Sequence, residues 1–177
     1  MNEKLYNELS LIGVEKQLQS HKDIVCFGEK TTSLYLIKKG GLVLNHVHPI
    51  TSKERTINFF IPNFHSIASV SHAYVFNEPS KYKLKTFTKT ILVEIGQQQL
   101  HHFLKHSDLS KEFQDYGIKT MIDKNELRAH LISLSSEEML KHLHANFPQI
   151  LQQVPSKYVA DFLGITPQWL SKLKHTL

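Results

Sequence analysis

Near its C-terminus the chain carries a group of side chains whose types and spacing suit the reading of nucleic acid. Gln168, Trp169, Ser171, Lys172 and Lys174 point away from the face that Leu170 and Leu173 share with Ile165 on a helical period. A glutamine amide can pair bidentately with adenine, and a lysine can meet guanine or a phosphate. The indole of Trp169 can lie against a sugar or a thymine methyl. Ser156 and Lys157, twelve residues earlier, stand where a helix begins and a phosphate can be held.

A second chemistry to weigh is metal binding, because the chain has 12 histidines. His46 and His48, at i and i+2 of a strand, share one face as ligation needs, and with Glu54 they partly resemble the first motif of cupins, metal-binding β-barrel proteins and enzymes. The glutamate comes late, and no Pro-x-Gly-x-x-His element follows. His102 and His106 are i,i+4 on a helix, more simply read as a solvated face, while His142 and His144 point to different faces. Cys26 is the lone cysteine, with no internal disulfide partner. No His-Glu-x-x-His, Gly-x-Ser-x-Gly or P-loop pattern occurs. The expectation is a protein that is not an enzyme and holds no metal or cofactor.

The elements that would position the first group are two short helices. Ser156 reads as an N-cap after Pro155, and Val159, Ala160, Phe162 and Leu163 recur at helical spacing until Gly164 ends the run. Thr166 then caps a second helix with Pro167 at its first position. This is the pattern of a helix-turn-helix, whose second helix enters the major groove. The competing reading is a helical hairpin that only packs.

Upstream, Leu5, Leu9, Ile12 and Leu18 suggest a lead-in helix broken at Gly13. Six β-rich runs follow, at 24–27, 34–37, 42–44, 57–60, 82–87 and 91–95, and predict an antiparallel sandwich or roll with Lys83 and Lys85 facing solvent. From Gly96 the period returns to helix. One helix spans 97–106, and Asp108 is placed to cap a longer one to about Ser133. Along it Phe113, Tyr116, Thr120 and Leu127 form a near-heptad row that either pairs two copies or covers the β-domain, and Ile118, Ile122, Ala129 and Ile132 form a second row. Ser135 with Glu138 makes a capping box for the next helix.

A β-roll, a long central helix and a terminal helix-turn-helix resemble the Crp/Fnr family of transcription regulators over nearly the whole chain. The matching stretches are Gly28-Glu29 with Leu34 to Val43, like the opening hairpin of a cyclic-nucleotide-binding roll, and Phe147-Pro148 through Val154 to Pro167, like the helix-turn-helix of Bacteroidetes-type members. The resemblance implies an α+β fold with a roll sensor domain at 1–107, a dimerisation helix at 108–133 and a DNA-binding domain at 134–177. It implies DNA contacts from Ser156, Lys157, Thr166, Gln168, Trp169, Ser171, Lys172 and Lys174. The dimer interface would run through Phe113, Tyr116, Thr120 and Leu127.

Two departures are visible. The family's pocket carries a Phe-Gly-Glu element and an Arg-Ser/Thr pair for the phosphate. Here Phe27-Gly28-Glu29 lies before the first hairpin, too early, and Ser80, Lys81 and Tyr82 stand where the pair belongs. Lysine lacks the rigid fork of arginine, so the pocket reads as degenerate and cyclic AMP is not the expected effector. The chain also stops at Leu177, right after the recognition helix, without the β-hairpin wing that family members carry.

Length and charge fit this reading. At 177 residues and 41% hydrophobic content the chain can hold one medium domain or two small ones. A net charge of +5 and a pI near 9.2 permit a polyanionic partner without demanding one. The first residues lack the basic-then-apolar order of a signal peptide, and no apolar run approaches the ~18 residues of a membrane span, so a cytoplasmic location with no membrane partner is expected. The expected partners are double-stranded DNA and a second copy, with RNA polymerase and an unidentified small-molecule effector as further candidates. The alternative is a protein-interaction module whose roll recruits a partner without DNA.

Overall fold

The computed structural model describes residues 1–175; the chain end at Leu177, on which the expectation of a missing wing rests, lies outside them. Helix α1 (Glu3–Ile12) opens on Asn2, whose side chain accepts the Leu5 N–H at 2.7 Å. Eight strands follow: β1 (Val14–Leu18), β2 (Asp23–Val25), β3 (Ser33–Lys39), β4 (Leu42–Val47), β5 (Glu54–Phe60), β6 (Ile67–Ala68), β7 (Tyr82–Thr86) and β8 (Thr90–Gly96), with helix α2 (Ser71–Phe76) between β6 and β7. They form two antiparallel sheets, ordered β1-β8-β3-β6 and β2-β7-β4-β5. The helices α3 (Gln97–His106), α4 (Ser110–Ser133), α5 (Ser136–Asn146), α6 (Pro148–Gln153), α7 (Ser156–Leu163) and α8 (Pro167–Lys174) follow within the described residues.

Strands β3, β4 and β8 are buried along most of their length, which is why they read as apolar runs rather than clean alternations, whereas β1 is an exposed edge. In β3, Tyr35 and Ile37 point into the roll, while Leu34 and Leu36 pack against Leu5, Leu9 and Leu100 of the helices outside it. In the second sheet, Leu42, Leu44 and Phe60 fill the roll's interior. Val43, Phe59, Ile61 and Phe87 face the other way. They join one core with Leu127 of α4 and with Met139, Leu143, Val159, Phe162 and Leu170 of the C-terminal helices. The roll and the terminal helices therefore share a hydrophobic core.

Several expectations need correction. The lead-in helix does not resume after Gly13. The backbone there is extended and pressed onto β8, where a Cβ would stand 2.5 Å from the Glu94 carbonyl oxygen, and 14–18 pairs with β8 as an edge strand. Asp108 caps nothing. Its carboxylate binds Lys4 Nζ at 2.9 Å, and Leu109 holds the N-cap position of α4. Lys83 and Lys85 do not extend into solvent, because Glu54 on β5 draws both ammonium groups in, at 3.1 and 2.6 Å, and Lys83 also meets Asp23 at 3.0 Å. The short β6 and α2 were not visible in the sequence pattern. The capping box at Ser135 and Glu138 forms as expected.

Candidate nucleic-acid interface

The turn between α7 and α8 is built by Gly164, at φ +72°, where a side chain would be strained. The Ile165 N–H returns to the Ala160 carbonyl at 2.9 Å and the Gly164 N–H to Asp161 at 3.1 Å, the paired bonds of a Schellman turn. Thr166 then caps α8. Its hydroxyl accepts the Trp169 N–H at 3.2 Å, an interaction of about 1 kcal/mol in such caps. Ser156 is not the cap of α7: Pro155 occupies that place, and Ser156 is the first helical residue.

Leu170 and Leu173 are buried, whereas Gln168, Trp169, Ser171 and Lys172 are exposed along one face of α8. The Lys172 ammonium stands 5.1 Å from the Trp169 ring, a cation–π contact that orders both side chains toward solvent. Lys174 is half-buried and donates to Ser156 Oγ at 3.4 Å, tying the end of α8 to the start of α7. The Lys157 ammonium rests 4.8 Å from the Tyr158 ring. Seven of the eight residues expected at the interface are thus exposed, and Lys174 is the one drawn inward.

Helix α7 is seated on β5. The Asp161 carboxylate accepts the Thr56 N–H at 2.6 Å, and the Phe162 and Phe59 rings lie 5.1 Å apart. The Arg55 guanidinium lies over the turn, where a Cβ at Gly164 would come within 2.6 Å of it. Sequence reasoning missed Arg55, because it belongs to a hairpin more than a hundred residues upstream and no local pattern marks it.

The row expected to pair two copies faces the chain's own roll. Phe113 packs on the core beneath α1 and α3, the Tyr116 hydroxyl bonds Ser66 Oγ at 3.2 Å and accepts the Ile67 N–H at 3.3 Å, and Thr120 and Leu127 are buried. The second row is the one left open. Ile118, Ile122, Met121 and Ile132 are all more than half exposed, Ile132 to 87%.

The residues expected to line an effector pocket are engaged mainly with their own neighbours. Ser80 is buried within its own turn, donating to the Tyr82 carbonyl at 2.7 Å and accepting the Tyr82 N–H at 3.0 Å. Lys81 is exposed, and Tyr82 makes an edge contact with His46 at 6.0 Å. Inside the roll, Tyr35, Leu44, Phe60, Leu84 and Leu92 pack together, so a ligand there would have to displace side chains. A cleft of about 640 Å³ lies outside the roll, where Tyr116, Lys119 and Asp123 of α4 meet His65, Ser66 and Phe147. His65 is 5% exposed, and neither ring nitrogen has a hydrogen-bond partner; Asp123 Oδ2 stands 3.6 Å away. Burial, with Lys124 nearby, pushes its imidazole down to about 3, so it is neutral at physiological pH.

The histidine pairs do not form a metal centre. Glu54 is committed to Asn45, Lys83 and Lys85, and His48 Nδ1 accepts the backbone N–H groups of Ile50 and Thr51. Among the described residues no group of three His, Cys, Asp or Glu side chains is disposed to hold an ion. Among them, too, no helix is long and apolar enough to cross a membrane.

No family profile matches this chain, and no protein of curated function does. Solved structures do. The c-di-GMP-responsive global regulator CLP of Xanthomonas campestris is similar with a TM-score of 0.70 at 15% identity, over 98% of this chain and 91% of that one. FixK2 of Bradyrhizobium japonicum gives 0.74 at 11% identity, over 94% and 85%, and the catabolite activator protein of Thermus thermophilus 0.59 at 14%, over 100% and 84%. The fold is that of Crp/Fnr-type regulators, with a cyclic-nucleotide-binding-like roll. At these identities the likeness establishes the fold alone.

Proposed function

We propose that this chain is a sequence-specific DNA-binding transcription regulator that acts in the cytoplasm as a homodimer and performs no catalysis. The observation that carries the reading is the exposed face of α8, where Gln168, Trp169, Ser171 and Lys172 stand clear of a helix anchored by Leu170 and Leu173. Base-edge donors on the first turns of a capped second helix are what major-groove reading requires. Lys157, at the start of α7, supplies a phosphate contact, and Ser156 and Thr166 flank the same surface.

Pairing runs along α4 through Ile118, Ile122, Ala129 and Ile132. Their spacing of four, seven and three residues, with Asn125 between Ile122 and Ala129, fits a heptad seam, and a polar residue at such a seam fixes register. The sensor domain is not suited to cyclic AMP, because Lys81 stands where the rigid bidentate arginine for the phosphate belongs. A gel-shift screen with genomic fragments tests the proposal: retarded fragments that share a two-fold site support it. A protein that retards no fragment, while its exposed α4 row captures another protein, would favour the interaction-module reading.

A further inference from the structure

Resting on the DNA-binding reading of α8, we infer that Arg55, on the β4–β5 hairpin of the roll, is a DNA-backbone contact that works alongside the helix-turn-helix. The guanidinium lies against Gly164, two residues before the cap of α8, and so stands at the end of the helix pair that enters the groove. The phosphate strand bordering the groove passes that end, and a planar fork of five donors suits it.

The obvious structural partners of Arg55 are already engaged. Glu54, its neighbour in β5, binds Asn45, Lys83 and Lys85. Asp161 accepts the Thr56 N–H. The carbonyls of Ala160 and Asp161 at the end of α7 receive the Schellman bonds of Ile165 and Gly164, so no cation is needed to cap them. Arg55 itself is exposed and has no ion pair among the described residues. An unpaired arginine beside the turn of a DNA-reading helix pair, with Glu54 neutralised by Lys83 and Lys85 and Asp161 occupied by the Thr56 N–H, is a site for a phosphodiester. Glycine at 164 serves twice, giving the positive φ and leaving room for the side chain.

The test uses the full chain and a mixed-sequence DNA duplex of about 40 base pairs, with binding followed by fluorescence anisotropy from about 50 to 200 mM salt. R55A is expected to weaken binding whatever the duplex sequence and to reduce the slope of log K against log salt by about 0.9 per bound protomer. R55K should keep most of that slope, and the melting temperature without DNA should not move. Should R55A fail to fold, R55Q carries the same measurement. An unchanged salt slope in the alanine or glutamine variant, with wild-type protein binding, overturns the inference while leaving the DNA-binding reading intact. A melting temperature that falls in R55A and is not restored in R55K makes the role structural and overturns it as well. A wild-type chain that binds no duplex at all removes the reading on which it rests.

Discussion

The Asp161 carboxylate on α7 accepts the backbone N–H of Thr56 on β5 at 2.6 Å, joining residues 105 apart in sequence. Thr56 is buried, so its amide has no easy recourse to water. D161A should cost about 1–3 kcal/mol of stability in urea unfolding, the usual penalty for a buried donor left without a partner. D161N, which keeps an acceptor oxygen, should recover much of it. Equal losses in both variants would mean that the helix is held by packing alone.

A second prediction concerns the long helix. I118E with I122E should shift the protein from dimer to monomer in sedimentation while leaving its circular dichroism native, because both side chains are exposed in the single chain. F113E and L127E should instead unfold it, since Leu127 lies in the core and Phe113 packs against another. Wild-type protein that sediments as a monomer at micromolar concentration would defeat the dimer proposal.

Readout of sequence can be separated from attachment. Q168A and K172A should each cost about 1–3 kcal/mol at a cognate site and far less on random duplex. K157A should weaken every sequence alike. Anisotropy titrations on matched cognate and scrambled duplexes measure the ratio, and equal losses on both would remove base reading from α8.

Glu54 makes the fold sensitive to acid. Partial burial pushes its carboxyl up, but bonds from Lys85, Asn45 and Lys83 overcome this and hold it at about 2. The ordinary value is 4.5, so the folded state is depressed and the stabilisation is complete above about 4.5, then fades as pH falls toward 2. Because the carboxylate is largely open to solvent and its ion pairs are screened, urea unfolding at stepped pH should show a loss of only about 1 kcal/mol across that window, and E54Q should flatten it.

The helix pair at the C-terminus was legible because its instructions are local. Gly164, Thr166 and Pro167 each impose a backbone geometry by themselves, and Leu170 and Leu173 mark the buried face. Six strands were legible for the same reason, through their β-branched and aromatic runs. What failed were choices made by distant partners. Val14 to Leu18 carries no apolar alternation, and becomes a strand only because β8 offers an edge. On α4 the near-heptad spacing placed the dimer interface on the Phe113 row; Ser66 and Ile67, through their bonds to Tyr116, turn that row toward the roll. Arg55 and Asp161 act across the same kind of gap.

The shared core of sheet and terminal helices bears on how such a chain could be rearranged. Phe59, Ile61 and Phe87 have been fitted to Val159, Phe162 and Leu170, so a hybrid made by grafting a foreign reading head after Ser133 would expose one half-core and meet the other with the wrong relief. Native-state hydrogen exchange should record the corresponding economy of motion, with amides of β5 and α7 released in one cooperative opening rather than two. Substitutions on either side of that seam would then be inherited best as matched pairs.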